Sequence, residues 1–227
     1  MLYEIHHYSA PDTTALGALT TWFSEHVVPA WKAVDMRVVG CFTATIGRSP
    51  RLTTITACED LNQRMATRER LTASDQWKSA YAALYANGDG LISGVDTAIL
   101  RLTDYSPDPF TFHNAAAPGL FEERIYRGKT SRTMARVNQR FEEYTVRLFN
   151  EHGITPVAFW NVIIGADQPS LYYLVRYDSL SQRQPAWDSF RADPEWQQAY
   201  KESESAGPIL LRTDSAILTP TPFSPMK

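Results

Sequence analysis

The chain has 227 residues, 44% hydrophobic and 21% charged, an ordinary composition for a globular protein with a substantial core. Its formal net charge of -3 gives no global attraction for phosphate backbones or anionic membranes, so we expect neither nucleic acid nor a membrane as partner. The sequence contains no run of about 18 apolar residues and no secretion-signal pattern, which predicts a cytoplasmic protein. Cys41 and Cys58 lack CxxC spacing and are interpreted as reduced core thiols.

The sequence is one module written twice. Residues 3–8 align with residues 121–126 at an offset of 118 positions, and beyond Gly165 the offset becomes 119, so that Trp77 aligns with Trp196. The repeat is too long for a solenoid unit and has the size of a small domain. We therefore expect two modules packed as a pseudo-dimer.

In the first module, residues 3–8 form an aromatic and branched run typical of a strand, and a turn follows. The next apolar residues recur at helical spacing, Asp12 or Thr13 can cap the helix, and Pro29 is expected to kink or end it. Residues 38–46 and 52–58 predict two strands joined by a short antiparallel hairpin. A helix over 60–84, a loop with glycines at 88, 90 and 94, and a strand over 97–102 complete the module.

The second module repeats this order, with strands predicted at 121–126, 157–164, 171–177 and 214–218 and helices at 131–152 and 181–203. This βαββαβ order is the ferredoxin-like arrangement, an α+β class in which two helices cover one face of a four-stranded antiparallel sheet. The other face is apolar, so the two sheets are expected to meet face to face. The predicted divisions are residues 1–104 (first half), 105–119 (linker), 120–219 (second half) and 220–227 (proline-rich tail).

A family resemblance becomes visible in the second half. Residues 187–196, which read Trp-Asp-Ser-Phe-Arg-Ala-Asp-Pro-Glu-Trp, resemble a characteristic segment of the NIPSNAP family, as do the segments at 140–142, 152–154, 171–174 and 177–180. The first half carries a looser version at 3–8 and 60–64. The resemblance implies a dimeric α+β barrel, here closed within one chain. The wider superfamily includes cofactor-free monooxygenases, cyclases, isomerases and heme enzymes, so the fold alone does not assign an activity.

His26 ranks first among the predicted catalytic residues. It follows Phe23 by three positions on the helix face expected to look toward the sheet, where an imidazole could exchange a proton near neutral pH. A core histidine bonded to a carbonyl or water remains the alternative. Its counterpart in the second half, Tyr144, is predicted to contact substrate.

The first strand supplies a second group. Glu4, His6 and Tyr8 share one face of it, and His6 and Tyr8 are predicted catalytic residues. The counterpart of His6 is Arg124, which is predicted to contact substrate. A polar network that joins the two sheets is the alternative to a ligand site.

Arg64 is predicted to bind a substrate carboxylate or phosphate. Because Arg183 repeats it and Asp60 and Asp178 precede the pair, an ion pair at the helix start is the alternative. Trp31 and Trp160 are the predicted aromatic contacts for a hydrophobic ligand.

Phosphate-loop, GxSxG, HExxH and GxGxxG motifs are absent from the sequence, and the five histidines are not spaced as a metal set. No cofactor is therefore predicted. Heme or metal is a minority alternative, with His113 and His152 as nominal axial ligands.

The leading hypothesis is a biosynthetic enzyme that performs cofactor-independent acid/base chemistry, namely cyclisation, isomerisation, elimination or oxygenation, on a hydrophobic or aromatic small molecule. The alternatives are a non-catalytic ligand-binding or interaction protein, whose two halves would be solid, and a heme or metal enzyme. Assembly into a homo-oligomer through sheet edges or helices is left open.

Overall fold

The computed structural model describes residues 1–85, 90–113, 119–166 and 168–227. In the first half the elements are β1 (Leu2–Ser9), α1 (Thr13–Trp22), α2 (Val28–Ala33), β2 (Arg37–Ile46), β3 (Arg51–Cys58), α3 (Leu61–Ala73), α4 (Asp75–Tyr85) and β4 (Gly94–Leu102). In the second half they are β5 (Leu120–Gly128), α5 (Ser131–Arg140), α6 (Val146–Glu151), β6 (Thr155–Ile164), β7 (Ser170–Tyr177), α7 (Leu180–Ala192), α8 (Pro194–Ser203) and β8 (Leu210–Pro220). One π-helical turn joins α1 to α2 (Phe23–Val27), and another joins α5 to α6 (Phe141–Thr145).

The eight strands form one closed antiparallel barrel in the order β1-β3-β2-β8-β5-β7-β6-β4. Each half contributes a four-stranded sheet, in the order β4-β1-β3-β2 for the first and β8-β5-β7-β6 for the second. Two seams, β2 with β8 and β4 with β6, join the sheets edge to edge. The predicted two-repeat α+β barrel is confirmed, and it satisfies the edge strands of both sheets without a partner chain.

Side-chain alternation along the strands separates the molecule into three cores. One set of strand residues fills the barrel interior, including Tyr3, Phe42, Phe121 and Trp160. The other set packs against the helices, in a layer around Phe23 in the first half and a layer around Phe141 in the second half. Each half therefore has its own space between sheet and helices, and both halves share the barrel interior.

The predicted strands all form, and most of their bounds differ from the prediction by only a few residues. Two predicted helices are each broken in the structure. Helix 60–84 divides at Ser74, whose hydroxyl accepts from the Trp77 N–H and so caps a new helix. Helix 181–203 divides at Asp193, which caps α8 just before Pro194. Pro29 does not end its helix; it lies directly after the π-helical turn, a type of irregularity that accompanies proline inside helices.

The linker and the tail close one end of the barrel. A short 3₁₀ helix (Pro109–Phe112) places Phe110 and Phe112 against the barrel core, and Met226 of the tail is fully buried in it. Linker residues 114–118 and the predicted loop glycine at 88 lie outside the described residues. Cys41 and Cys58 are free and buried, as predicted. None of the described helices is long and apolar enough to cross a membrane.

Candidate functional site

A pocket opens between the sheet and the helices of the first half, with a volume of about 390 Å³. This first-half pocket is almost entirely aromatic and aliphatic, which suits a flat hydrophobic molecule. Its lining residues are Tyr8, Trp22, Phe23, Val27, Trp31, Arg68, Trp77, Tyr81, Leu84, Tyr85, Leu91, Ile92 and Val95. Arg68 is the single charged side chain among these described residues.

The repeat explains why this half has room. At four aligned positions that face the helix layer, the first half has a smaller or more flexible side chain where the second half has an aromatic ring. The pairs are Cys41 for Phe159, Thr54 for Tyr173, Arg68 for Trp187 and Leu71 for Phe190. The strand register agrees with this alignment, because Cys41 pairs with Thr54 as Phe159 pairs with Tyr173.

In the second half those rings fill the equivalent space. The centroid of the Tyr173 ring lies 5.2 Å from that of Tyr126 and 5.3 Å from that of Phe141. The Trp187 ring lies 5.3 Å from the Phe149 ring. The first-half counterparts of Tyr126, Phe141 and Phe149 are Tyr8, Phe23 and Trp31, which line the first-half pocket. Of the four replaced positions, Arg68 lines the first-half pocket, while Cys41 and Leu71 pack in the core layer beside it and Thr54 lies next to Tyr8. These smaller or more flexible side chains leave room on this side of the sheet.

A polar network lies directly behind the pocket. Arg68 Nη2 donates to Glu4 Oε2 at 3.1 Å and to His6 Nε2 at 3.0 Å, and Arg64 forms a second ion pair with Glu4. The His6 ring stacks on Tyr8 with a centroid distance of 5.6 Å. Glu4, His6 and Tyr8 thus share the helix-facing side of β1, as the alternation predicts, and Arg68 connects them to the pocket.

Burial and charge set the protonation states in this network. Burial lowers the pKa of His6 to about 4, with Arg68 and Arg64 adding to the decrease, so the imidazole is neutral near pH 7 and its Nε2 accepts from Arg68. Burial alone would raise the pKa of Glu4, but Arg64, His6 and Arg68 outweigh it and lower that pKa. Burial raises the pKa of Tyr8, which stays a hydrogen-bond donor.

In the second-half counterpart of this network, protein donors occupy the carboxylate. The Glu122 carboxylate accepts hydrogen bonds from Arg183, Arg124, Tyr177 and Trp187 at 2.7–3.2 Å. The repeated carboxylate–arginine pair, Glu4 with Arg64 and Glu122 with Arg183, joins the first strand to the following helix in each half. In each half the partner of the arginine is the strand carboxylate. The alternative of an ion pair at the helix start, between Arg64 and Asp60, is therefore wrong. Asp60 instead caps α3 by accepting a hydrogen bond from the Gln63 N–H.

His26 does not line the first-half pocket, contrary to the expected position. Uninterrupted α-helical spacing would place it on the buried face, but the π-helical turn adds a residue to one turn and shifts the register by one position. Phe23 and Val27 occupy the buried face, and His26 is half-buried beside it. The prediction that His26 acts as acid or base in this pocket is therefore not supported by its position.

The other predicted residues divide between pocket and packing. Trp31 and Tyr8 line the first-half pocket. Trp160 is fully buried in the barrel interior against Tyr3, at a ring distance of 5.5 Å, so the predicted ligand contact at Trp160 does not belong to this pocket.

Arg64, Arg124 and Tyr144 also lie away from the first-half pocket. Arg64 is engaged with Glu4, and Arg124 is bound to Glu122 and stacks over the Trp187 ring at 4.5 Å. Tyr144 packs at the margin of the second-half core.

Arg68 is the residue that the sequence analysis missed as a site residue. The signal was present in the repeat, because Arg68 aligns with Trp187, the tryptophan of the most recognisable second-half motif. A charge at a position where the sister module buries a ring marks the place where the two modules differ.

The nominal heme ligands have protein partners. His113 Nε2 lies 2.9 Å from the Val39 carbonyl oxygen, and His152 contacts Ser189 at 2.7 Å and Asp193 at 3.1 Å. In the described part of the chain, no three His, Cys, Asp or Glu side chains come together as a metal site requires.

The model of the NIPSNAP family matches the chain twice, over residues 3–107 and 121–225. The chain belongs to the NIPSNAP family. About half of this NIPSNAP chain is also similar to single-module structures. A NIPSNAP domain protein from Burkholderia xenovorans is 21% identical over 48% of this chain and 100% of its own, with a TM-score of 0.43.

Two-module structures match this NIPSNAP protein over nearly its full length. A putative monooxygenase from Lactobacillus acidophilus covers 96% of this chain and 93% of its own, with 9% identity and a TM-score of 0.60. An anthrone oxidase-like protein covers 97% and 91%, with 10% identity and a TM-score of 0.58. At these identities the similarity shows the shared fold. None of the curated proteins matches the chain significantly.

Proposed function

We propose that the protein is a cofactor-independent enzyme that binds an aromatic enol or phenol in the first-half pocket and stabilises its anion. The observation that carries this proposal is the position of Arg68, the single charge among the described lining residues of an otherwise aromatic and aliphatic pocket. A guanidinium beside aromatic and aliphatic side chains can stabilise a developing oxyanion through a charge-assisted hydrogen bond.

The lining residues assign the parts of the substrate. Trp31 and Phe23 offer ring faces and edges to the aromatic body, and the half-buried Tyr8, whose hydroxyl neighbours Thr54, can offer a second hydrogen bond to the oxygen that Arg68 faces. Glu4 and neutral His6 hold Arg68 from behind, which makes them positioning residues. The Arg68 side chain is 37% exposed, so the proton lost by the substrate can leave to water.

Once formed, such an anion is electron-rich at carbon. It can take a proton at carbon in an isomerisation, expel a leaving group, attack an internal carbonyl in a cyclisation, or give electrons to O₂ as co-reactant in an oxygenation. Two fold neighbours, described as a putative monooxygenase and an anthrone oxidase-like protein, accord with the last of these reactions. The proposed chemistry requires no resident cofactor.

A second candidate is a non-catalytic carrier of an aromatic metabolite. It is favoured by the lining itself, in which no described residue is a carboxylate or an imidazole that could act as a base. Carrier and enzyme share the ligand and differ in whether the bound anion reacts.

The test uses 4-nitrophenol, whose phenolate absorbs visible light, and compares Arg68→Met with Arg64→Met. Both variants remove one arginine partner of Glu4, but only Arg68 lines the pocket. We expect the wild-type protein and Arg64→Met to lower the pKa of the bound phenol by about one unit or more, and Arg68→Met to abolish this decrease. An equal decrease in all three proteins would refute the assignment of Arg68.

Turnover separates enzyme from carrier. A panel of phenols, anthrones and cyclic β-diketones that bind in the first test is followed by mass spectrometry, with and without O₂. Conversion that depends on Arg68 supports the enzyme, and saturable binding without conversion supports the carrier.

A further inference from the structure

A second and larger cavity, of about 540 Å³, lies inside the barrel. It opens at the end that carries the turns after β2 and β6, because Arg48 and Ala166 of those turns line it. The opposite end is closed by the linker and the tail. This barrel cavity is separated from the first-half pocket by the sheet, and none of its described lining residues belongs to that pocket.

Residues of both halves form its floor. Arg51 Nη1 donates to His7 Nδ1 at 3.1 Å, and the Arg51 guanidinium pairs with Glu123. His7 Nε2 lies 3.0 Å from Glu123 Oε1. His7 and Arg51 come from the first half and Glu123 from the second, so the floor exists only when the barrel is closed.

The floor presents buried polar groups to the cavity. Tyr172 is 2% exposed and lines the cavity, and its hydroxyl neighbours the Glu123 carboxylate. Glu123 Oε1 lies 3.0 Å from His7 Nε2, but neither this oxygen nor the Tyr172 hydroxyl forms a well-aligned hydrogen bond. A carboxylate oxygen can accept from more than one donor and a phenol oxygen can also accept or donate, so a bound hydroxyl group can share both partners.

Aliphatic side chains of Ile5, Leu100, Ile125 and Val162 line the walls, and the charged side chains that also line the cavity are paired with one another, Arg48 with Asp96 and both Arg127 and Arg212 with Asp214. We propose that the barrel cavity is a second small-molecule site, which binds an uncharged aliphatic molecule through a hydroxyl group that donates to Glu123 and accepts from Tyr172.

Charge complementarity selects against ionic ligands at this floor. The Glu123 carboxylate is already paired with Arg51, so a ligand carboxylate would meet a buried like charge. A ligand ammonium would meet the Arg51 guanidinium. A hydroxyl satisfies one acceptor and one donor at once and brings no charge into a buried site.

The experiment uses three probes with one cage and different heads: 1-adamantanol, adamantane-1-carboxylate and adamantan-1-amine. Binding is followed by NMR of isoleucine δ-methyl groups. Ile5 and Ile125 report on the barrel cavity, Ile92 reports on the first-half pocket, and Ile154 in the second-half core serves as a control.

We expect adamantanol to cause saturable shifts at Ile5 and Ile125 and to bind more tightly than either charged analogue. Tyr172→Phe should weaken adamantanol binding about 2- to 10-fold, the effect of one lost neutral hydrogen bond, and leave Ile154 unchanged. Ala98→Phe, which fills the cavity, should remove the shifts at Ile5 and Ile125. A charged analogue that binds more tightly, or shifts confined to Ile92, would overturn the proposal.

Discussion

At the residue scale, one position of the repeated first strand shows how a module acquires chemistry. His6 and Arg124 are equivalent, and each lies beside the carboxylate of its own half. Arg124 is always charged and forms an ion pair with Glu122. His6 is neutral near pH 7, so Arg68 supplies a positive charge in its place and is aimed at a pocket.

The lowered pKa of His6 predicts a pH-dependent stability. Between the unfolded value of 6.5 and the folded value of about 4, the unfolded chain binds more protons than the folded one, so folding is weakened as pH falls through this window. The loss attributable to His6 is at most about 3–4 kcal/mol, since one pKa unit corresponds to about 1.4 kcal/mol.

Urea unfolding at pH 7 and at pH 4 measures this loss. His6→Gln keeps a neutral hydrogen-bonding side chain, so we expect its free energy of unfolding to fall less than that of the wild-type protein between the two pH values. Parallel curves for the two proteins would mean that His6 does not titrate as burial requires.

At the element scale, the two halves have the same elements and different interiors. The same strand pairs and the same π-helical turn recur in each half. Because the turn is repeated in the filled half, it belongs to the module rather than to the pocket. The first-half pocket arises from side chains alone.

A reciprocal exchange at one aligned position tests this reading. Thr54→Tyr places a phenol among Tyr8, Phe23 and Trp31, where Tyr173 sits in the sister module, so we expect loss of 4-nitrophenol binding by tenfold or more. Tyr173→Thr removes a ring from a packed cluster and should lower the free energy of unfolding by about 3 kcal/mol or more.

The stability of Thr54→Tyr provides the control. The ring enters an existing hollow, so its free energy of unfolding should stay within about 1.5 kcal/mol of the wild-type value. Binding retained by a folded Thr54→Tyr protein would show that the ligand does not lie among these rings.

Periodicity and the internal repeat were sufficient to predict the strands, the helices and two packed ferredoxin-like modules, because alternation and helical spacing are local properties, whereas the barrel was an expectation from the family resemblance. They failed where geometry depends on more than spacing. The apolar pattern does not reveal the π-helical turn, so His26 was predicted to lie on the buried face of the helix when it lies beside that face. The partner of Arg64 was sought nearby at Asp60, whereas Glu4 reaches it across the sheet–helix interface.

The site itself was partly visible in the sequence. Tyr8 and Trp31 were selected for a pocket that they do line, and the first half was preferred because it departs from the family pattern. The sequence of one module could not predict the first-half pocket, because a side chain leaves a space only when its neighbours do not fill the volume around it. Alignment of the two modules supplies that reference, as Thr54 and Tyr173 show.

At the scale of the whole molecule, duplication converts what would be an interface between two chains into a barrel within one chain. Main-chain pairing joins the halves at two seams, and the floor of the barrel cavity joins them across the interior. The Arg51–Glu123 pair is almost fully buried, and burial of its charges is tolerated because each is matched by the other half.

A double-mutant cycle on this pair tests whether the halves are energetically coupled through the barrel. Glu123→Leu alone leaves the Arg51 guanidinium buried without its carboxylate and should cost about 3–5 kcal/mol of unfolding free energy. Arg51→Met combined with Glu123→Leu removes both charges, so the double variant should be more stable than Glu123→Leu alone, a non-additivity expected only for groups in contact. The measurement is urea unfolding followed by both tryptophan fluorescence and circular dichroism. Coincident transitions are expected, because the shared barrel makes the two halves one cooperative unit. Two separate unfolding transitions, or losses of unfolding free energy that simply add in the double variant, would show that this pair does not couple the two modules.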